Sequence, residues 1–205
     1  MEMVCLDLEG VLVPEIWINV AKLTGIEELK ATTRDIPDYD KLMQQRLRIL
    51  KQHKLGLKDI QSVIANMSPF PGAVEFLLWL SENFQVVILS DTFYDFASPL
   101  MRQLGYPLLL CHRLKIDDDG MISDYVLRQK DAKRESVKAF HGLQYRVFAA
   151  GDSYNDTAML SEADAGILFC PPDNVIREFP QFPVTSNYNE LREVFARVSE
   201  RNIED

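Results

Sequence analysis

Positive charge is scarce in this chain: 22 Lys and Arg face 31 Asp and Glu, for a net charge of −9. Proteins that grip phosphate backbones do so with clustered Lys and Arg. No basic stripe interrupts this sequence, so a nucleic-acid partner is not expected. Nor does any apolar run approach the 18 or so residues that a membrane span needs. The N-terminus passes straight into a short strand that ends in an acid, without the apolar core of a signal peptide. No membrane partner is expected, and the chain reads as cytoplasmic. Cysteine is rare as well: Cys5, Cys111 and Cys170 are odd in number, far apart and set in apolar or Pro-flanked runs. That is the pattern of small core residues, not of a disulfide framework or a zinc site. His53, His112 and His141 lack metal-ligand spacing and are assigned no chemistry. Internal repeats and low-complexity segments are absent.

What is present is an alternation of short apolar runs and helical stripes. A chain of 205 residues can bury roughly 70% of its unfolded surface, enough for one core with a modest insertion. Val4-Cys5-Leu6 reads as a strand buried on both faces, ending at Asp7. Three helical stripes follow. They run through Ile16, Val20 and Leu23, then Tyr39, Leu42, Met43, Leu47 and Leu50 after Pro37, then Leu57, Ile60, Val63, Ile64 and Met67. Arg46 falls on or beside the apolar face of the second stripe. Pro69, Pro71 and Gly72 punctuate the return. From there strands at Gln85–Ser90, Leu108–Cys111, Arg146–Ala150 and Ala165–Phe169 alternate with helices. Pro99 is expected to confine its helix to the later turns. Asp117-Asp118-Asp119-Gly120 marks a hairpin turn and lacks the spacing of a calcium loop. The fold expected is α/β: a doubly wound, mainly parallel Rossmann-like sheet with a small helical cap after the first strand. Residues 1–13 and 72–205 form the core and residues 14–71 the cap, which sits where a lid over Asp7 would be.

Polar signals gather at the ends of these runs. Asp7-Leu8-Glu9-Gly10 sets two carboxylates two residues apart beside a glycine. Ser90-Asp91-Thr92 ends a second strand, and Lys130 or Lys133 precedes a short helix. Gly151-Asp152-Ser153-Tyr154-Asn155-Asp156 follows another strand. Ligands of open α/β sheets collect at the carboxyl ends of strands. A strand-end carboxylate can attack a phosphomonoester and split one difficult hydrolysis into two displacements. Its charge opposes a dianion, so a hard divalent cation such as Mg²⁺ suits the other carboxylates.

In this order the motifs resemble the four motifs of the haloacid dehalogenase superfamily of phosphotransferases, and phosphoserine phosphatases in particular. The LDLEGVLVPE start at residues 6–15 is similar to a subgroup that combines phosphoserine phosphatase with homoserine phosphotransferase activity. The resemblance implies Asp7 as nucleophile and Mg²⁺ ligand. Position 9 gives its carbonyl to the metal, and the Glu9 side chain serves as acid and base. Ser90 holds phosphoryl oxygens and Lys133, chosen over Lys130, stabilises their charge. Asp152 becomes the principal metal ligand, Asn155 a phosphate contact and Asp156 a supporting acid at the metal. Arg46 and Glu15 take the substrate carboxylate and amino group. The chain departs from the pattern in three places. Glu9 stands where most relatives have Asp, Asp91-Thr92 where they have Gly-Gly, and Glu15 one position before the strict alignment at Ile16. Asp91 is therefore read as a substrate-side acid. The activity expected is Mg²⁺-dependent hydrolysis of O-phosphoserine through an aspartyl-phosphate, with transfer to homoserine as a second outcome. The alternatives are a phosphatase of another small phosphorylated metabolite and a phospho-aspartate signalling receiver, which has no need of residues 14–71.

Overall fold

In the computed structural model of the chain, which describes residues 1–32, 35, 36 and 38–203, strand β1 (Glu2–Leu6) is buried along its whole length. Pro37, ahead of the second helical stripe, lies outside the described residues. Side chains alternate across a strand, and β1 divides between two cores accordingly. Val4 and Leu6 pack into one cluster, Met3 and Cys5 into the other. The same alternation holds in β2 (Gln85–Phe93), where Ile88 faces the first cluster and Val87 and Leu89 the second. It recurs in β5 (Arg146–Gly151) and β6 (Ala165–Phe169). A sheet covered on both faces needs these near-continuous apolar runs.

Among the described residues seven strands lie in the order β4-β3-β2-β1-β5-β6-β7, with β3 (Leu109–Ile116), β4 (Ile122–Val126) and β7 (Val184–Thr185) completing the sheet. Only the β3–β4 hairpin among the described residues is antiparallel. Its turn is built as the aspartate run suggests, with Asp117 Oδ1 accepting from the Asp119 and Met121 N–H groups. Between β1 and α4 (Ala73–Asn83) come α1 (Ile16–Thr24), α2 (Tyr39–Gln52) and α3 (Leu57–Ile64). The two ends of that excursion meet, since the Phe70 N–H donates to the Leu12 carbonyl at 2.9 Å. The remaining helices are α5 (Tyr94–Gln103), α6 (Ala132–Gly142), α7 (Thr157–Glu162), α8 (Asp173–Glu178) and α9 (Tyr188–Val198). Residues of α4, α5 and α9 line the first core, and residues of α6, α7 and α8 the second. Tyr188, stacked between Phe76 and Phe169, donates its hydroxyl to the Val11 carbonyl and so ties α9 to the turn after β1. No helix of the described residues is long and apolar enough to cross a membrane.

Two local expectations give way. Pro99 does not delay α5, which begins at Tyr94 and runs through the proline. Proline removes the N–H that would bond the carbonyl of Asp95, four residues back. The Gln61 side chain of α3 supplies the missing donor, at 2.8 Å. Strand β2 does not stop at Ser90 either. It continues to Phe93 with an irregular register, because Leu89 pairs with Leu110 while Phe93 pairs with His112. Four steps on β2 thus span two on β3, a bulge of the kind that re-aims side chains beside a site.

Candidate active site

Strand register brings the chemistry together. Leu6 lies beside Ile88 on one side and Ala150 on the other, so the residues that follow these three converge at one edge of the sheet. Asp7 is buried there, its N–H bonded to the Ala150 carbonyl at 3.0 Å. Its Oδ1 accepts from the Leu8 N–H at 2.7 Å and meets Lys133 Nζ at 2.9 Å. Lys133 comes from the first turn of α6 and is buried, whereas Lys130 is exposed. Its ammonium also donates to Asp156 Oδ1 at 2.7 Å and stands 3.6 Å from Asp91 Oδ2. Burial opposes the charge on Lys133. The three carboxylates outweigh it and hold the ammonium well above its usual range.

Asp7, Asp152 and Asp156 each present an oxygen within 4.8 Å of the others. Burial, then Asp156, raises the Asp7 carboxyl well above its ordinary range against the pull of Lys133. Burial also pushes Asp152 up to about 7, with Asp156 and Glu15 adding to the shift. Two glycines permit this crowding. A Cβ on Gly10, whose φ is +79°, would meet the Asp152 carboxylate, and one on Gly151 would meet the Asp156 side chain. Asp156 Oδ2 accepts from the Asp152 and Ser153 N–H groups at 3.0 and 3.1 Å, so this acid also folds the loop that carries Asp152. Three clustered carboxylates with Lys133 as their only hydrogen-bonded ammonium among the described residues leave an excess of negative charge. Hard oxygen donors in that state fit a divalent cation.

The bulge in β2 supplies the next wall. Ser90 is buried, and its Oγ accepts from the Thr92 N–H at 3.2 Å. Asp91 is partly open and receives Asn155 Nδ2 on Oδ2 at 3.0 Å. Lys133, with help from His112 and Asn155, holds its carboxyl well below the usual carboxylate range despite burial. His112, assigned no chemistry from sequence, places Nε2 3.5 Å from Asp91 Oδ1. Nothing local in the sequence signals it, because its relevance comes from the shifted β2–β3 register.

Next come residues from the turn after β1 and from α1 and α2. Glu9 Oε2 accepts from the Ile16 N–H at 2.8 Å. Burial and the neighbouring Glu15 push Glu9 up to about 8, against the pull of that N–H and of Arg46. Glu15 thus lies against Glu9, while the Ile16 side chain is fully buried. Arg46 is buried, with Nη2 on the Ala31 carbonyl at 2.9 Å and its guanidinium 4.5 Å over the Trp17 ring. Its Nε is buried with no partner among the described residues. Burial lowers the guanidinium to about 10, and Tyr39, Glu9 and Glu15 oppose that shift. Tyr39 also donates its hydroxyl to the Asp91 carbonyl at 3.1 Å, so α2 touches the β2 bulge directly. Tyr39 reads from sequence only as apolar stripe, and Trp17 carries no reading there at all. A ring beneath a buried guanidinium is invisible until the helices are packed.

Residues 22–161 match the haloacid dehalogenase-like hydrolase family. The chain is 68% identical over 203 residues to phosphoserine phosphatase ThrH of Pseudomonas aeruginosa, covering 99% of both chains. It is 66% identical to a phosphoserine phosphatase of Pseudomonas syringae pv. tomato, over 98% of this chain and 85% of that one. Among solved structures, a phospho-aspartyl intermediate analogue of phosphoserine phosphatase shares the fold with a TM-score of 0.78. It is 21% identical, over 97% of this chain and 99% of the other.

Proposed function

The chain belongs to the haloacid dehalogenase-like hydrolase family, and from that membership we propose a cytoplasmic, Mg²⁺-dependent phosphoserine phosphatase acting through an aspartyl-phosphate on Asp7. The observation that carries the reading is the buried Asp7–Lys133 pair, 2.9 Å apart, facing Asp152 and Asp156 at the carboxyl edge of the sheet. Asp7, Asp152 and the main-chain carbonyl of Glu9 would hold the metal, with Asp156 fixing the loop behind them. Bound there, Mg²⁺ supplies positive charge that offsets the repulsion between Asp7 and a phosphate dianion.

With Oδ1 held by Leu8 and Lys133, Asp7 attacks phosphorus through its other oxygen and forms an acyl-phosphate while the ester bond to serine breaks. Lys133, the Ser90 hydroxyl and Asn155 hold the phosphoryl oxygens as charge spreads over them. Glu9, half-buried and raised toward neutrality, gives its proton to the departing serine oxygen. It then takes a proton from the incoming nucleophile, which attacks phosphorus and returns Asp7 as a carboxylate. Arg46 pairs with the substrate carboxylate and Glu15 with its ammonium. The helices of residues 14–71 close over both and exclude water.

The nucleophile of the second step is water or an alcohol held in its place. Homoserine carries the same carboxylate and ammonium as serine and a hydroxyl one methylene further out, so the Arg46–Glu15 pair can hold it against the phosphoenzyme. Positioning of that kind is worth an effective molarity far above that of solvent water. The test follows phosphoserine by phosphorus NMR in chelated protein, with Mg²⁺ restored and with homoserine added. Mg²⁺-dependent multiple turnover is expected, with phosphohomoserine appearing beside inorganic phosphate. One phosphate released per chain would convert the reading to a receiver, and inorganic phosphate alone would remove homoserine as acceptor.

A further inference from the structure

His112 lies on β3, outside every motif of the reaction, yet its side chain is buried against the site. Its Nδ1 accepts from the Arg128 N–H at 3.1 Å. That bond fixes the tautomer with the proton on Nε2, which faces Asp91 Oδ1 at 3.5 Å. The Tyr39 and Phe93 rings, with centroids 6.4 and 6.3 Å away, hold the imidazole in place. Asp91 thus has the His112 N–H facing one oxygen as an electrostatic contact, and accepts a hydrogen bond from Asn155, at 3.0 Å, on the other.

Lys133 approaches Asp91 on Oδ2, the oxygen that already accepts from Asn155. Its ammonium has three protons. Two are spent on Asp7 at 2.9 Å and Asp156 at 2.7 Å. The gap to Asp91 is 3.6 Å, too long for a hydrogen bond although the charges are opposite and the lysine is buried. An Asp91 freed from its other partners would close that gap and take the third proton. We propose that His112 is a positioning residue which, together with Asn155, holds Asp91 off Lys133 and so keeps one ammonium proton for the transferring phosphoryl group. Asp91 then balances the charge of Lys133 without competing for its last donor.

The inference rests on the phosphatase reading, and the test separates the two. Steady-state kinetics on phosphoserine with Mg²⁺ are compared for the wild type, His112→Leu, His112→Gln, Asp91→Ala and the double variant Asp91→Ala/His112→Leu. Melting temperatures are read alongside. His112→Leu should lower kcat about tenfold, part of the cost of losing one oxyanion donor, with KM within about twofold. His112→Gln, whose amide still offers Asp91 a donor, should restore most of that loss. In the Asp91→Ala background His112→Leu should cost nothing, because no carboxylate is left to capture the proton. His112→Met makes the same comparison should the leucine variant not fold. An equal loss with and without Asp91, or wild-type kcat in His112→Leu, overturns the inference. A wild type without phosphoserine turnover overturns the phosphatase reading instead.

Discussion

At the scale of single residues, Arg46 concentrates the question of specificity. One face of its guanidinium rests on Trp17, Nη2 is bound to Ala31, and Nε is buried with no partner among the described residues. A buried polar atom left unpaired costs about 1–3 kcal/mol, and a substrate carboxylate would remove that cost. Arg46→Ala should therefore lower kcat/KM for phosphoserine by roughly a hundredfold, the size of a charge-assisted pair lost from a closed site. Phosphoethanolamine, which lacks the carboxylate, should lose far less in the same assay. An equal loss on both substrates would mean that the helices had been damaged and no contact removed. Arg46 was legible in the sequence because a charge on an apolar stripe needs a reason. Asp7 and Asp152 were legible because strand ends collect ligands. His112 was not, since it reaches Asp91 only through a bulge, and a register shift leaves no mark in the spacing of residues along either strand.

At the scale of elements, the interior proline of α5 shows how a local rule is overridden by a distant donor. Gln61 sits on α3, within the inserted helices, and caps the Asp95 carbonyl that Pro99 leaves free. Gln61→Leu should destabilise the protein by about 1 kcal/mol, the low end of the cost of an unsatisfied carbonyl because this one is only part-buried, as read by urea unfolding monitored by circular dichroism. An unchanged midpoint would mean that water serves the carbonyl as well as glutamine does. The order of elements was readable because unbroken apolar runs and 3.6-residue stripes differ in period. Their ends were less so. Strand β2 outruns its apolar stretch because the bulge keeps it on β3, and α5 keeps the turns before Pro99 because Gln61 compensates for the proline.

At the scale of the whole molecule, the two ends of the chain are bound together at the edge of the sheet opposite Asp7. Glu2 is buried at the start of β1 and accepts from Ser199 Oγ, the Glu200 N–H and Arg201 Nε at 2.7, 2.9 and 2.9 Å. Burial works against its charge, but these donors prevail and hold its carboxyl below the usual range. A carboxyl depressed in the folded state stabilises above its unfolded pKa, and that stability is lost as pH falls through the folded value. Glu2→Gln should therefore cost about 2 kcal/mol at pH 7, with the gap to wild type closing as thermal melts are taken below about pH 4. A gap independent of pH would show that shape, not charge, holds the end. Nothing in the sequence joined Glu2 to Ser199, whereas the doubly wound class was plain from strands apolar on both faces. The position of β1 also sets a schedule for the chain's synthesis. The middle strand of the sheet leaves the ribosome before both of its neighbours, which begin pairing only at Gln85 and Arg146. At 5–20 residues per second, roughly 7–30 s pass before the second partner exists. During that interval a segment apolar on both sides has nowhere to go, and the nascent chain should depend on whatever shields it.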